Sequence, residues 1–162
     1  MKIKSRIFAT LLVVLTLVSA VSIPALAANT QDETFSNYEI YIDGNFLPPR
    51  EKEDASPHYL YITGGNMDVV YVFSHGLETY SNWGDNNLTK ANGQFVDFVT
   101  CRKGTRYSIS NGVYEAGCPW AALGILRADS WWGGVIDGKW SPDSTGRYTY
   151  AVPEEIPWTD LD

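Results

Sequence analysis

The sequence has few cysteines, histidines and basic residues, and each scarcity argues against a class of protein. Two cysteines and two histidines in 162 residues are too few for a tightly spaced zinc site or a dense disulfide framework. Twelve basic residues stand against 19 acidic ones, which gives a net charge of −7. Nucleic-acid binding relies on a basic surface that releases counterions, so we expect no nucleic-acid partner.

Long apolar runs are also scarce, and the single one lies at the N-terminus. It extends from residue 7 to about residue 21, behind three cations, and the small-residue sequence Ala-Leu-Ala follows at 25–27. These are the three parts of a secretory signal, and about 15 apolar residues fall short of the 20 that a membrane span needs. We expect a signal peptide over residues 1–27, cleavage before Ala28, and a secreted, extracellular protein with no membrane anchor after cleavage.

The remaining residues, 28–162, are expected to form one domain with frayed termini. Loss of three cations with the signal peptide leaves nine basic and 19 acidic residues, a net charge of −10. All six tryptophans and ten tyrosines belong to this part. So many aromatic residues exclude a disordered chain and predict a packed core.

Apolar residues alternate with a period of two, and no stretch keeps helical spacing for three turns. The chain is therefore predicted to be all-β, as a single antiparallel β-sandwich of about seven or eight strands with one disulfide. The strands are predicted at residues 35–42, 58–63, 68–74, 94–101, 105–110, 120–127 and 134–140, with an edge strand near Tyr148 and Tyr150.

The connections between these strands are predicted from their turn residues. Gly-Gly-Asn-Met at 64–67 and Arg-Lys-Gly at 102–104 each indicate a β-hairpin. The charged run at 50–54 is predicted to lie in an exposed crossing loop. Residues 75–93 are rich in Gly and Asn, and such a long loop is the first place to look for a functional site.

Cys101 and Cys118 are predicted to form the disulfide, because the expected compartment is oxidising and no other cysteine is present. A bond between them would stabilise the fold by about 3 kcal/mol in the chain-entropy description.

Catalytic patterns are weak. His58 or His75 could serve a serine, but no serine lies in a G-x-S-x-G elbow, and a strand would point Ser74 and His75 to opposite faces. Three acids in predicted strands could cleave a glycoside, although the solvated face of a strand explains them better: Glu39, Asp97 and Asp137. We expect no catalytic residue, no cofactor and no metal, with calcium bound by the loops at 85–87 and 143–144 as the alternative.

The tryptophans are the strongest functional feature. Trp83 lies in the long polar loop, and Trp131 and Trp132 precede two glycines between strands. Exposed rings stack on the C–H faces of sugars, while amides and carboxylates bind the hydroxyls. The alternative is that some rings fill the core, as we expect for Trp120 and Trp140. The predicted binding residues are Trp83, Asp85, Asn87, Trp131 and Trp132.

The segment at 135–144, with the pattern G-x-W-S-P-D-S at its end, resembles the closing strand of small exported proteins of Gram-positive bacteria. The resemblance implies a single β-sandwich, and some proteins of that kind are bacteriocin-like. The leading hypothesis is a secreted, non-enzymatic binding protein that recognises a polysaccharide or cell-wall glycan. A secreted bacteriocin-like or toxin factor is the second hypothesis, and a small secreted hydrolase is the third.

Overall fold

The computed structural model describes residues 29–41, 44–82, 86–128 and 133–154. The predicted signal peptide lies outside these residues. So do four of the five predicted binding residues, namely Trp83, Asp85, Trp131 and Trp132.

The described residues form β-strands and no helix, so the all-β prediction is confirmed. Seven strands have four to nine residues: β1 (Glu33–Ile40), β4 (His58–Gly65), β5 (Val69–Leu77), β8 (Val99–Arg102), β9 (Arg106–Ile109), β10 (Trp120–Arg127) and β11 (Gly134–Ser141). Five more have two residues each: β2 (Asn45–Phe46), β3 (Arg50–Glu51), β6 (Lys90–Ala91), β7 (Gln94–Phe95) and β12 (Thr149–Tyr150).

Two sheets share one hydrophobic core. The first sheet has the order β1-β11-β4-β9-β12, the second has the order β2-β10-β5-β8 with β3 also paired to β10, and β6 and β7 form a separate hairpin. The predicted edge strand is β12, but it pairs with β9 in parallel, so the first sheet is mixed and not purely antiparallel. The core joins side chains of both sheets, including Leu60, Ile136 and Trp140 from the first and Val72, Leu123 and Ile125 from the second.

Both predicted hairpins are wrong, because the strands of each pair lie in different sheets. β4 pairs with β11 and β9, whereas β5 pairs with β10 and β8; likewise β8 belongs to the second sheet and β9 to the first. Gly65 shows how the chain leaves the sheet: its φ is 100°, and a Cβ there would collide with the Val135 carbonyl oxygen of β11. Each of these two turns therefore connects a strand of one sheet to a strand of the other.

The predicted disulfide is also wrong, because Cys101 and Cys118 are not bonded. Cys101 lies in β8 opposite Val70 of β5, whereas the Cys118 sulfur packs against Gly76 of the same strand. Val70 and Gly76 are six residues apart, or about 20 Å along a strand. A disulfide requires Cα atoms within about 7 Å of each other, so this fold keeps the two thiols apart.

Both thiols should therefore be free in the purified protein. Burial raises the pKa of both sulfhydryls, and for Cys118 the charge of Glu78 adds to the effect, so neither should react quickly in the folded state. Unfolding in iodoacetamide without a reductant should add two carbamidomethyl groups to the chain. The same reaction after reduction is the control, and groups that add only in the reduced sample would contradict the fold.

Candidate functional site

A groove lies at one end of the first sheet, where the end of β1 meets the start of β11. Residues 39–41 and 133–135 line a volume of about 260 Å³. Ile40 pairs with Gly134 and Glu39 pairs with Val135. Because Met67 lies directly beneath Gly134 and leaves no room for a Cβ, the backbone itself forms this part of the groove.

Tyr41 and Glu39 supply an exposed aromatic ring and a carboxylate to the groove. Half of the Tyr41 side chain is exposed, at 52%, and its hydroxyl donates a hydrogen bond to Glu39 Oε2. This hydrogen bond, and then the charge of Glu39, raises the pKa of the phenol. The groove therefore offers a neutral aromatic ring beside a carboxylate that still has free lone pairs.

A second acid lies on the same face. Since Ile40 and Ile136 point into the core, the alternation of the strands places Glu39 and Asp137 on the outer face. Asp137 is two residues beyond the partner of Glu39, a diagonal separation of about 7–8 Å between strands. Its carboxylate accepts a hydrogen bond from the Asn37 N–H at 2.7 Å, where β1 contains a bulge.

The groove adjoins one of the predicted binding segments. Gly133, which lines it, directly follows Trp132 in the chain. Sequence reasoning singled out this tryptophan pair and considered Glu39 as a glycoside-cleaving acid, but it missed Tyr41 and the pairing of Tyr41 with Glu39. The available signal was their shared face, since both fall on the polar parity of the predicted first strand.

The other predicted segment lies elsewhere. Asn87 bridges to His75, which pairs with Ala122 in β10. Gly44, whose N–H donates to the Tyr41 carbonyl oxygen, lies instead against Leu126. Ala122 and Leu126 are about 13 Å apart along the strand. The predicted binding residues therefore do not all lie beside the groove.

The Asn87 amide serves its own loop. Its Nδ2 donates to the Asp97 carbonyl oxygen at 2.7 Å, and its Oδ1 accepts from the Thr89 hydroxyl at 2.6 Å. Nearby, the half-exposed Tyr80 packs edge to face on Trp120, with ring centroids 5.4 Å apart. Trp120 is thus half-buried, whereas Trp140 is fully buried as predicted.

A serine and a histidine do meet, but inside the core. His58 Nε2 lies 2.6 Å from Ser74 Oγ, and Nδ1 lies 2.7 Å from the Pro142 carbonyl oxygen. Because only a protonated Nδ1 can bond a carbonyl, Nε2 must accept the hydroxyl proton. Neither side chain has exposed surface, so Ser74 cannot reach a substrate in this fold. Sequence reasoning missed this pair because its members come from different sheets.

Two further features concern metals and membranes. Within the described residues, no three or more His, Cys, Asp or Glu side chains are grouped so as to hold a metal ion. Asp143, in one of the loops considered for calcium, binds Lys52 instead. The described part of the chain also has no helix that is both long enough and apolar enough to cross a membrane.

These features define a two-sheet β-protein with a small aromatic and acidic groove on its surface. The chain belongs to the family described as "Protein of unknown function (DUF2712)", which matches residues 23–144. The match spans both strands of the groove. No curated protein and no solved structure matches the chain.

Proposed function

We propose that this protein is a secreted, non-enzymatic binding protein and that its groove, with the adjoining Trp131 and Trp132, binds a polysaccharide or cell-wall glycan. The observation that carries the proposal is the half-exposed Tyr41 ring held beside Glu39 in a groove that is also lined by Gly133, the residue that follows Trp132 in the chain.

The chemistry of the groove suits a sugar chain better than an apolar ligand. A pyranose ring has C–H faces that stack on aromatic rings and hydroxyls that donate to carboxylates. Tyr41 supplies the ring, Glu39 the acceptor, and Asp137 a second carboxylate on the same face. A volume of about 260 Å³ is slightly below the usual range of ligand pockets, and suits one unit of a longer chain.

The placement of the serine that meets a histidine supports a binding role without catalysis. The Ser74 hydroxyl that bonds to a histidine is sealed in the core, and the acids beside the groove lie on an open sheet face that leaves them in contact with water. Glycoside cleavage depends on a cleft that raises the pKa of one acid. Export is supported by the predicted signal peptide and by the resemblance to exported proteins.

Tyr41→Ala should weaken glycan binding without unfolding the protein. Loss of a stacking ring at a binding site costs about 1–3 kcal/mol, or about five- to 150-fold in Kd. The measurement is titration of the secreted protein with soluble polysaccharides and sedimentation with purified peptidoglycan. Trp132→Ala should behave in the same way.

Tyr150→Ala is the matched control. Tyr150 is 63% exposed and lies in β12, at the opposite edge of the same sheet, so its loss should leave Kd unchanged. Equal losses in Tyr41→Ala and Tyr150→Ala would place binding elsewhere. Absence of binding by the wild-type protein would refute the proposal, and killing of related bacteria in a spot assay would then favour the bacteriocin-like alternative.

A further inference from the structure

A lysine and an aspartate lie against each other in the interior with no exposed side-chain surface on either. Lys52 follows β3 and Asp143 follows β11, 91 residues later, and Lys52 Nζ contacts Asp143 Oδ1. Charged side chains are almost never fully buried unless paired. The sequence prediction of an exposed charged loop at 50–54 is therefore wrong for Lys52.

One oxygen of the Asp143 carboxyl group is bound by two backbone N–H groups, as the carbonyl oxygen of an acyl substrate is bound in an oxyanion hole. Its Oδ2 accepts hydrogen bonds from the backbone N–H groups of Asn29 and Glu53, both at 3.0 Å. Two such donors stabilise negative charge that develops on the oxygen when a nucleophile attacks the carbon. The other oxygen, Oδ1, faces the lysine.

The Lys52 amine is positioned for that attack. Its Nζ donates to the Ser56 carbonyl oxygen at 2.7 Å, which fixes its direction, and Asp54 Oδ1 lies 3.8 Å away as a base. Burial opposes ionisation of Asp54, but hydrogen bonds from Ser56 and the charge of Lys52 outweigh it and lower its pKa.

We propose that Lys52 and Asp143 join in an intramolecular isopeptide bond, with Asp54 as the proton-transfer group and the Asn29 and Glu53 amides as the oxyanion site. No part of this inference rests on the proposed glycan binding.

The reaction balances without a co-reactant. A proton passes from the Lys52 ammonium through Asp54 to Asp143 Oδ1, and the free Nζ attacks Cγ of the neutral acid. Asp54 then takes the second amine proton and delivers it to Oδ1, the Cγ–Oδ1 bond breaks, and one water leaves. The products are one amide and one water, with Asp54 restored.

The bond would tie the two sheets together. β3 pairs with β10 of the second sheet, whereas β11 belongs to the first. The cross-link would therefore hold the sheets together covalently, a role that a disulfide cannot fill because Cys101 and Cys118 lie apart.

Intact-mass measurement of the purified full chain tests the proposal. We expect the measured mass to be one water lower than the mass calculated from the sequence of the purified chain. Lys52→Met and Asp143→Ala should each remove the deficit. The exposed ion pair between Lys103 and Asp68, at 2.6 Å, provides the control, since Lys103→Met should keep it. Asp54→Asn should slow the loss of water by about 100-fold, and an unchanged rate would overturn the role given to Asp54.

Peptide mapping identifies the site if a variant fails to fold. In the unfolded wild-type protein, trypsin should not cleave after Lys52, and one linked peptide should contain both Lys52 and Asp143. A wild-type mass equal to that of the sequence, with cleavage after Lys52, would show an ordinary buried ion pair and overturn the proposal. A deficit that mild base reverses would be a succinimide, as Asp137-Gly138 could form, and would overturn it as well.

Discussion

Lowering the pH from about 7 to about 4 should destabilise the protein by several kcal/mol through His58 alone. Burial is the main cause that lowers the pKa of this side chain from 6.5 to about 3; the charge of Lys52 adds to it in the protein without the isopeptide bond, and the Pro142 carbonyl opposes it. Between pH 6.5 and about 3, the unfolded chain binds a proton that the folded protein does not. Stability therefore rises with pH across this window and falls as the pH drops through it, by about 5 kcal/mol in total.

Urea unfolding at several pH values between 7 and 4 measures this dependence. The matched variant is His58→Phe with Ser74→Ala, which removes the titrating ring and its hydroxyl partner together. It should show a smaller pH dependence than the wild type, because the contribution of the His58 ring is absent. If the double variant does not fold, NMR titration of the wild-type imidazole decides the matter. Equal pH dependences, or a His58 ring that charges near pH 6, would contradict the assignment.

Most of the longer strands could be predicted from the sequence because their signal is local, although the predicted strand at 94–101 is divided into β7 and β8. The predicted strand at 120–127 coincides with β10, and the predicted strand at 134–140 is one residue shorter than β11. Strand partners could not be predicted in this way. A glycine-rich turn between two alternating segments suits a hairpin and a crossing between sheets equally well, and the choice depends on distant partners such as Val135 against Gly65.

The candidate site was predicted only in part for the same reason. The tryptophan pair at 131–132 stands out in the sequence and directly precedes Gly133, which lines the groove. The contribution of Tyr41 and Glu39 depends on the start of β11, which faces them only in the folded protein. Lys52 is the clearest case. It lies in a run of five charged residues that indicates solvent exposure, and its partner Asp143 is 91 residues away.

Trp140→Ala should be among the most damaging substitutions in the chain. The side chain is fully buried within the core shared by both sheets, edge to face with the His58 ring at 6.3 Å and under the Arg50 guanidinium at 5.8 Å. Among the described residues its indole N–H has no hydrogen-bond partner, so the substitution sacrifices no hydrogen bond. The whole cost is lost burial and the cavity left behind, about 3–5 kcal/mol.

Trp120→Ala is the matched control, because it removes the same kind of side chain from a less buried position. Trp120 is only half-buried at the start of β10, with Tyr80 over it, so the neighbouring ring and water can fill part of the space. Thermal unfolding should show Trp140→Ala with a Tm lower by about 10–20 °C, and Trp120→Ala with a clearly smaller decrease. Below that lower Tm, Trp140→Ala should still bind any ligand of the groove, because the indole points into the core. Equal decreases in Tm for the two variants would show that the core is not centred on Trp140.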